Sequence, residues 1–136
     1  MQRVRRLVTR SWWWPIVREH DTEPAELLGA ILSTIWGLWL LSPMHTFRSS
    51  AAYNDLALIP EWLLGSTLLV VGINAGLALR SGGVRSRRRS AILMFGSWFA
   101  IAAAFAHSDI TNTGVVVYGV VTLAAGWVYV RLGVPS

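Results

Sequence analysis

Four apolar stretches, each about as long as a bilayer is thick, fill most of the 136-residue chain, and its arginines are confined to alternate gaps between them. No other feature narrows the outcome as far. A stretch of roughly 17–20 apolar residues spans a hydrocarbon core of about 30 Å when helical. Inside lipid every backbone N–H and C=O must be paired within its own segment, so spans of this kind are helices. The composition agrees: 54% of residues are hydrophobic and 14% charged, against about a quarter charged in soluble domains. The sequence therefore predicts an all-α integral membrane four-helix bundle, a single four-pass domain over residues 1–136.

The spans are expected at about 24–42, 60–80, 90–107 and 113–131. Asp21 or Thr22 is placed to cap the first, with Pro24 in its first turn and Glu23 and Glu26 at the positive end of its dipole. Pro60-Glu61 opens the second in the same way. Arg3, Arg5, Arg6, Arg10 and Arg18 precede span one, Arg80, Arg85, Arg87, Arg88 and Arg89 lie between spans two and three, and Arg131 follows span four. Arg48 alone falls on the other side. The positive-inside rule then places both termini and the arginine hairpin in the cytoplasm of a bacterial-type inner or plasma membrane. A cleaved signal peptide competes for the first span, but that apolar run ends near Leu41, well ahead of the small residues at Ser50-Ala51-Ala52.

Residues 2–18 read as a short basic amphipathic helix lying in the headgroup plane, closed by the interfacial anchors Trp12, Trp13 and Trp14. Trp62 and Trp127 are anchors at span ends. Residues 81–90 read as a flexible basic hairpin. The net charge of +5 flanks membrane spans, so anionic headgroups or a partner are assigned to Arg3, Arg5, Arg6, Arg10, Arg85, Arg87, Arg88 and Arg89, and nucleic acid is disfavoured.

No Asp, Glu, Lys, Arg or His lies near the centre of a span. Such residues mark proton and ion pathways, and their absence argues against a proton-coupled transporter or an intramembrane protease. No nucleophile–base arrangement, phosphate loop or paired carboxylate stands out, so the chain reads as non-enzymatic. With no cysteine there is no thiolate chemistry. His45, Asp55, Glu61, His107 and Asp109 share the outer face without a recognised metal spacing, and neither metal nor cofactor is expected. The polar residues inside the spans include Ser66, Asn74 and Ser97, each able to line a pore or bond a neighbouring helix. For Asn74 the preferred reading is a bond to a neighbouring helix of the same monomer or a reach to the headgroups. Small residues mark packing faces: Gly65, Gly72 and Gly76 in span two, Gly96, Ala100 and Ala104 in span three, and Gly119 in span four. Trp98, in mid-span, is expected to pack between helices.

Pro60-Glu61-Trp62 opening a small-residue span, the arginine hairpin, and Thr113-Gly114 with Trp127-Val128-Tyr129 closing another span resemble small multipass membrane proteins of tailed phages and prophages, some called holin-like. The resemblance covers roughly residues 60–132. It implies membrane insertion and a role in lysis or superinfection, and it carries over no catalytic residue. Where that group commonly ends in a charged tail, this sequence reads Arg131-Leu132-Gly133-Val134-Pro135-Ser136. Three functions follow as expectations. One is a membrane-perturbing or pore-forming protein acting by self-association as a homo-oligomer. Another is a scaffold or accessory subunit docking another membrane protein, a cytoplasmic partner or anionic lipid. The last is a small oligomeric transporter or channel. A polar face along spans two and three would favour the first or third, and an apolar outer surface with its polar groups satisfied would favour the second.

Overall fold

The structure, a computed structural model, describes residues 22–43, 58–108 and 110–133. It contains four helices, α1 (Glu23–Leu41), α2 (Glu61–Ser81), α3 (Val84–Ser108) and α4 (Thr113–Arg131), and no strand among the described residues. Each is long and apolar enough to cross a membrane. The described helices make the chain a polytopic integral membrane protein. The expected interfacial helix over 2–18, with Arg3, Arg5, Arg6, Arg10, Trp12, Trp13 and Trp14, lies outside the described residues.

The helix ends follow from local chemistry. Gly82 terminates α2 at φ +68°, donating its N–H to the Leu79 carbonyl. A left-handed residue at this position is what glycine supplies without a Cβ clash. Asn112 caps α4 by accepting from the Gly114 N–H at 2.8 Å. Thr22 stands at the N-cap position of α1 but makes no capping bond there; its hydroxyl is used elsewhere, as described below. The one large departure from expectation is at α3, which begins at Val84 and absorbs the residues read as a flexible hairpin. Arginine is a good helix former, and hydropathy alone cannot see a helix that continues past its apolar part. Only Gly82 and Gly83 separate α2 from α3.

α1 packs principally on α2 and α4 on α3, with α2 joining the two hairpins. The α1–α2 seam is built on glycine. A Cβ on Gly37 would stand 2.6 Å from the Leu69 backbone nitrogen, and one on Gly72 would stand 2.6 Å from that of Thr34. Gly65 meets the Gly37 carbonyl oxygen and Leu40 at 3.0 Å in the same sense. Backbones this close need the absent side chain. Buried positions recur at three- and four-residue spacing on α2 (Gly65, Leu68, Val71, Gly72, Ala75, Ala78). The opposite faces point outward and are apolar, as at Leu28, Ile35, Val70, Leu77, Val116 and Leu123. In water such a surface would be an aggregation liability; facing acyl chains it is the ordinary solvent-exposed surface.

The middle of the bundle is filled by rings. Trp98 is buried, and its indole N–H donates to Ser33 Oγ at 3.0 Å. Trp36 meets Trp98 and Tyr118 edge-on, at centroid distances of 6.4 and 5.5 Å, and Tyr118 stacks on Trp98 at 5.6 Å. Phe105 lies 5.0 Å from Tyr118. The expectation that Trp98 packs between helices is met.

The arginine-rich end as candidate functional site

The starts of α1 and α3 and the ends of α2 and α4 lie at one end of the bundle, and this end collects Arg80, Arg85, Arg87, Arg88, Arg89 and Arg131. Arg87 does not point outward. It is 7% exposed, donating from Nε to Glu26 Oε2 at 2.9 Å and from Nη2 to Glu26 Oε1 at 2.6 Å. Nη2 also donates to Thr22 Oγ1 at 3.0 Å, and Glu23 stands 3.8 Å from Nη1. Glu26 is 4% exposed and Thr22 1%. This bidentate pair joins α1 to α3, two helices that otherwise touch at few points. A guanidinium fork matched to a carboxylate is both the strongest and the most directional ion pair available.

Assigning Arg87 to headgroups or a partner is therefore corrected: its guanidinium is consumed inside the bundle. The physical reason lies in the α3 stripe Arg87, Ser90, Ala91, Met94, Trp98, whose three- and four-residue spacing carries the buried face back to the first turn. That spacing is readable in the sequence and would have found Arg87. Its partner Glu26 was legible only as an acid suited to a helix start, since nothing in the sequence joins positions 61 residues apart.

The other arginines divide by face. Arg85 and Arg89 are exposed, as is Arg80 at the end of α2. Arg88, also exposed, lies over the Tyr129 ring at 4.5 Å from its centroid, so it is held against the end of α4. A cation above an aromatic face is attracted to the ring quadrupole. Beside them, Asn74 Nδ2 donates to Ser90 Oγ at 3.3 Å. This is a bond between helices of one monomer, one of the two forms of the preferred reading of Asn74.

The remaining polar groups in the spans are spent locally. Ser66 donates to the Trp62 carbonyl at 2.6 Å and Ser97 to that of Leu93 at 2.9 Å. Thr34, Thr67 and Thr122 bond back four residues in the same way. Among the described residues no buried side-chain nitrogen or oxygen lacks a partner. The hydroxyls of Ser66 and Ser97 are thus satisfied within their own helices.

The small-residue positions sort just as clearly. Gly65 and Gly72 form the α1–α2 seam, and Ala104 packs against the core. Gly76, Gly96 and Gly119 have nothing within 4 Å of where a Cβ would stand, and Ala100 is exposed. Those four do not pack helices together inside the monomer, because each lies off the inward stripe of its helix. Gly29 and Gly37, which the sequence did not single out, do. Trp62 and Trp127 are 63% and 46% exposed near helix ends, in keeping with an anchoring position. Of the outer-face acids and histidines, only Glu61 and His107 fall among the described residues, and no group of three metal-binding side chains occurs among those residues. The chain matches no protein-family model, no curated protein and no solved structure.

Proposed function

We propose that this chain is a membrane-embedded scaffold or accessory protein, which presents its arginine-rich end to an anionic partner in the cytoplasm. Both termini and the turn at Gly82 lie on that side in this reading, following the arginine distribution. One observation carries it: polar groups inside the bundle are used up by the fold, while Arg80, Arg85 and Arg89 remain exposed together at one end. The ring cluster of Trp36, Trp98, Phe105 and Tyr118 occupies the bundle axis where a single-chain channel would need a path. Arg87 and Glu26 stiffen the arginine-rich end, so that the exposed arginines of α3 stand on a rigid helix rather than a loose hairpin. A preordered cationic surface loses less freedom on binding.

The test uses the full chain in neutral vesicles, with vesicles containing phosphatidylglycerol as the anionic probe. The account expects capture of the anionic vesicles over neutral ones, weakening with salt, and at least about tenfold loss in Arg80→Gln/Arg85→Gln/Arg89→Gln. Equal capture of neutral vesicles, or an unaffected triple variant, would overturn it.

A second reading is favoured by a different observation. Gly76, Gly96 and Gly119 leave small, open positions on lipid-facing surfaces, and such positions permit close approach of another copy. That is the feature a holin-like, self-associating protein would use, in line with the phage-protein resemblance.

A further inference from the structure

The outward face of α2 carries a heptad. Leu63, Thr67, Val70, Asn74, Leu77 and Ser81 follow one another at intervals of four and three residues, and all six are exposed. That spacing holds them within about 40° of a single line along the helix. Apolar and polar positions alternate down the line, with Leu63, Val70 and Leu77 at one heptad site and Thr67, Asn74 and Ser81 at the other. The α2 glycines that meet α1, Gly65 and Gly72, stand on the opposite side of the helix. We propose that this stripe is a dimerisation face, seating α2 of a second copy in parallel, with Asn74 hydrogen-bonded to the partner's Asn74. The inference rests on the chain spanning a bilayer and is independent of the docking role.

Asn74 is what selects a second copy as the occupant. It stands six residues before Arg80, about 9 Å inward from the arginine-rich end and so within hydrocarbon. Among the described residues its one hydrogen bond is the donation to Ser90 Oγ, long for such a bond at 3.3 Å. The amide oxygen and the second N–H are left to acyl chains, which can bond neither. Thr67 and Ser81 differ, because their hydroxyls close on carbonyls of their own helix. A carboxamide carries both donor and acceptor, so it is complementary to a copy of itself. Copies inserted with one orientation hold Asn74 at one depth, and a two-fold axis along the membrane normal brings the two amides together. A lone asparagine at one heptad position is also the device that fixes register and favours two strands in parallel helices. Leu63, Val70 and Leu77 supply the packing on either side of it, at the crossing of about +20° usual in membrane bundles. The open glycines belong to a different surface: Gly76, two residues past Asn74, lies about 200° round the helix. Because both halves of the interface are the same patch, the assembly closes at two chains and sets two arginine-rich ends side by side.

The experiment follows energy transfer between donor- and acceptor-labelled copies of the full chain, tagged at Ser136→Cys, as the protein is diluted in phosphatidylcholine vesicles. The expected result is a dimer whose dissociation constant rises about threefold to thirtyfold in Asn74→Leu, the range for one interhelical polar bond in a membrane. Asn74→Gln, which keeps the amide, should restore most of the association. Ser90→Ala and Gly76→Leu should leave it unchanged, the first removing only the acceptor within the monomer and the second altering another face. Single cysteines in the otherwise native chain give a readout that does not depend on how Asn74→Leu folds. Val70→Cys and Leu77→Cys should form disulfide-linked dimers on oxidation in the membrane, and Gly76→Cys should not. A wild-type chain that stays monomeric overturns the proposal, whether lipid or another membrane protein then covers the stripe. Wild-type association by a folded Asn74→Leu, or cross-linking of Gly76→Cys as ready as that of Val70→Cys, overturns it as well.

Discussion

Gly72 and Gly76 lie one turn apart on α2, and the structure gives them opposite fates when a single methyl group is added. At Gly72 the new Cβ would stand 2.6 Å from the Thr34 nitrogen and 2.8 Å from the Ala30 carbonyl oxygen. Both are backbone atoms, so no side chain can swing aside, and α1 must retreat by at least about 0.8 Å to restore ordinary contact at 3.4 Å. A gap of 0.5–1 Å forfeits about a quarter to a half of each dispersion contact along the seam, including those of Gly37 on Leu69 and Gly65 on Leu40. Overpacking of this kind costs about 1–3 kcal/mol, against about 0.5–1 kcal/mol regained from the better helix former. Gly72→Ala should therefore destabilise by roughly 1–2 kcal/mol. At Gly76 nothing lies within 4 Å, leaving only the helix-propensity gain, so Gly76→Ala should be neutral or stabilising by up to about 1 kcal/mol. The assay is unfolding of the purified protein in mixed micelles by increasing dodecyl sulfate, followed by tryptophan fluorescence. The reasoning is refuted if Gly72→Ala matches wild type, or if both variants lose stability alike.

Further outcomes follow from the same packing. Glu26→Leu or Arg87→Met alone should cost about 3–5 kcal/mol, because each strands a buried charge, while the double variant should recover most of that loss; additive losses would mean the two side chains do not meet. Trp98→Phe removes the donor to Ser33 together with part of the ring and should cost about 1–3 kcal/mol, less than the roughly 3–5 kcal/mol of Trp98→Ala; equal costs would show that a ring at this position adds nothing to the core. The chain has no cysteine, so single reporters are clean. Ser86→Cys should resist a membrane-impermeant maleimide in intact cells, whereas Ser50→Cys should react, and the reverse pattern would overturn the proposed orientation.

The four helices were legible because lipid imposes one signal, length of apolar sequence, and every helix answers to it. Where that signal ends, the reading failed. α3 runs on through Arg85–Arg89 as a helix, since helix periodicity and propensity, not hydropathy, decide that segment. Charge alone groups Arg87 with its neighbours, although its register with Ala91, Met94 and Trp98 sets it apart. The mid-span position of Trp98 is enough to place it between helices. Its Ser33 partner lies 65 residues away and needed the fold. The glycines show the limit most plainly. Gly72 and Gly76 look equivalent in sequence, yet α1 approaches only one of them, and which face a partner helix selects is a property of the assembled bundle.

The bundle axis is packed and, among the described residues, every buried side-chain nitrogen and oxygen is paired, which under the proposed function leaves the arginine-rich end to act. The most direct test is inducible expression of the full chain in bacteria, following membrane potential with a dye while the protein accumulates in the membrane. The potential is expected to hold. A delayed, abrupt collapse that is abolished by Gly76→Leu or Gly96→Leu, at lipid-facing positions open in the monomer, would contradict it and establish the self-assembling, membrane-perturbing reading instead.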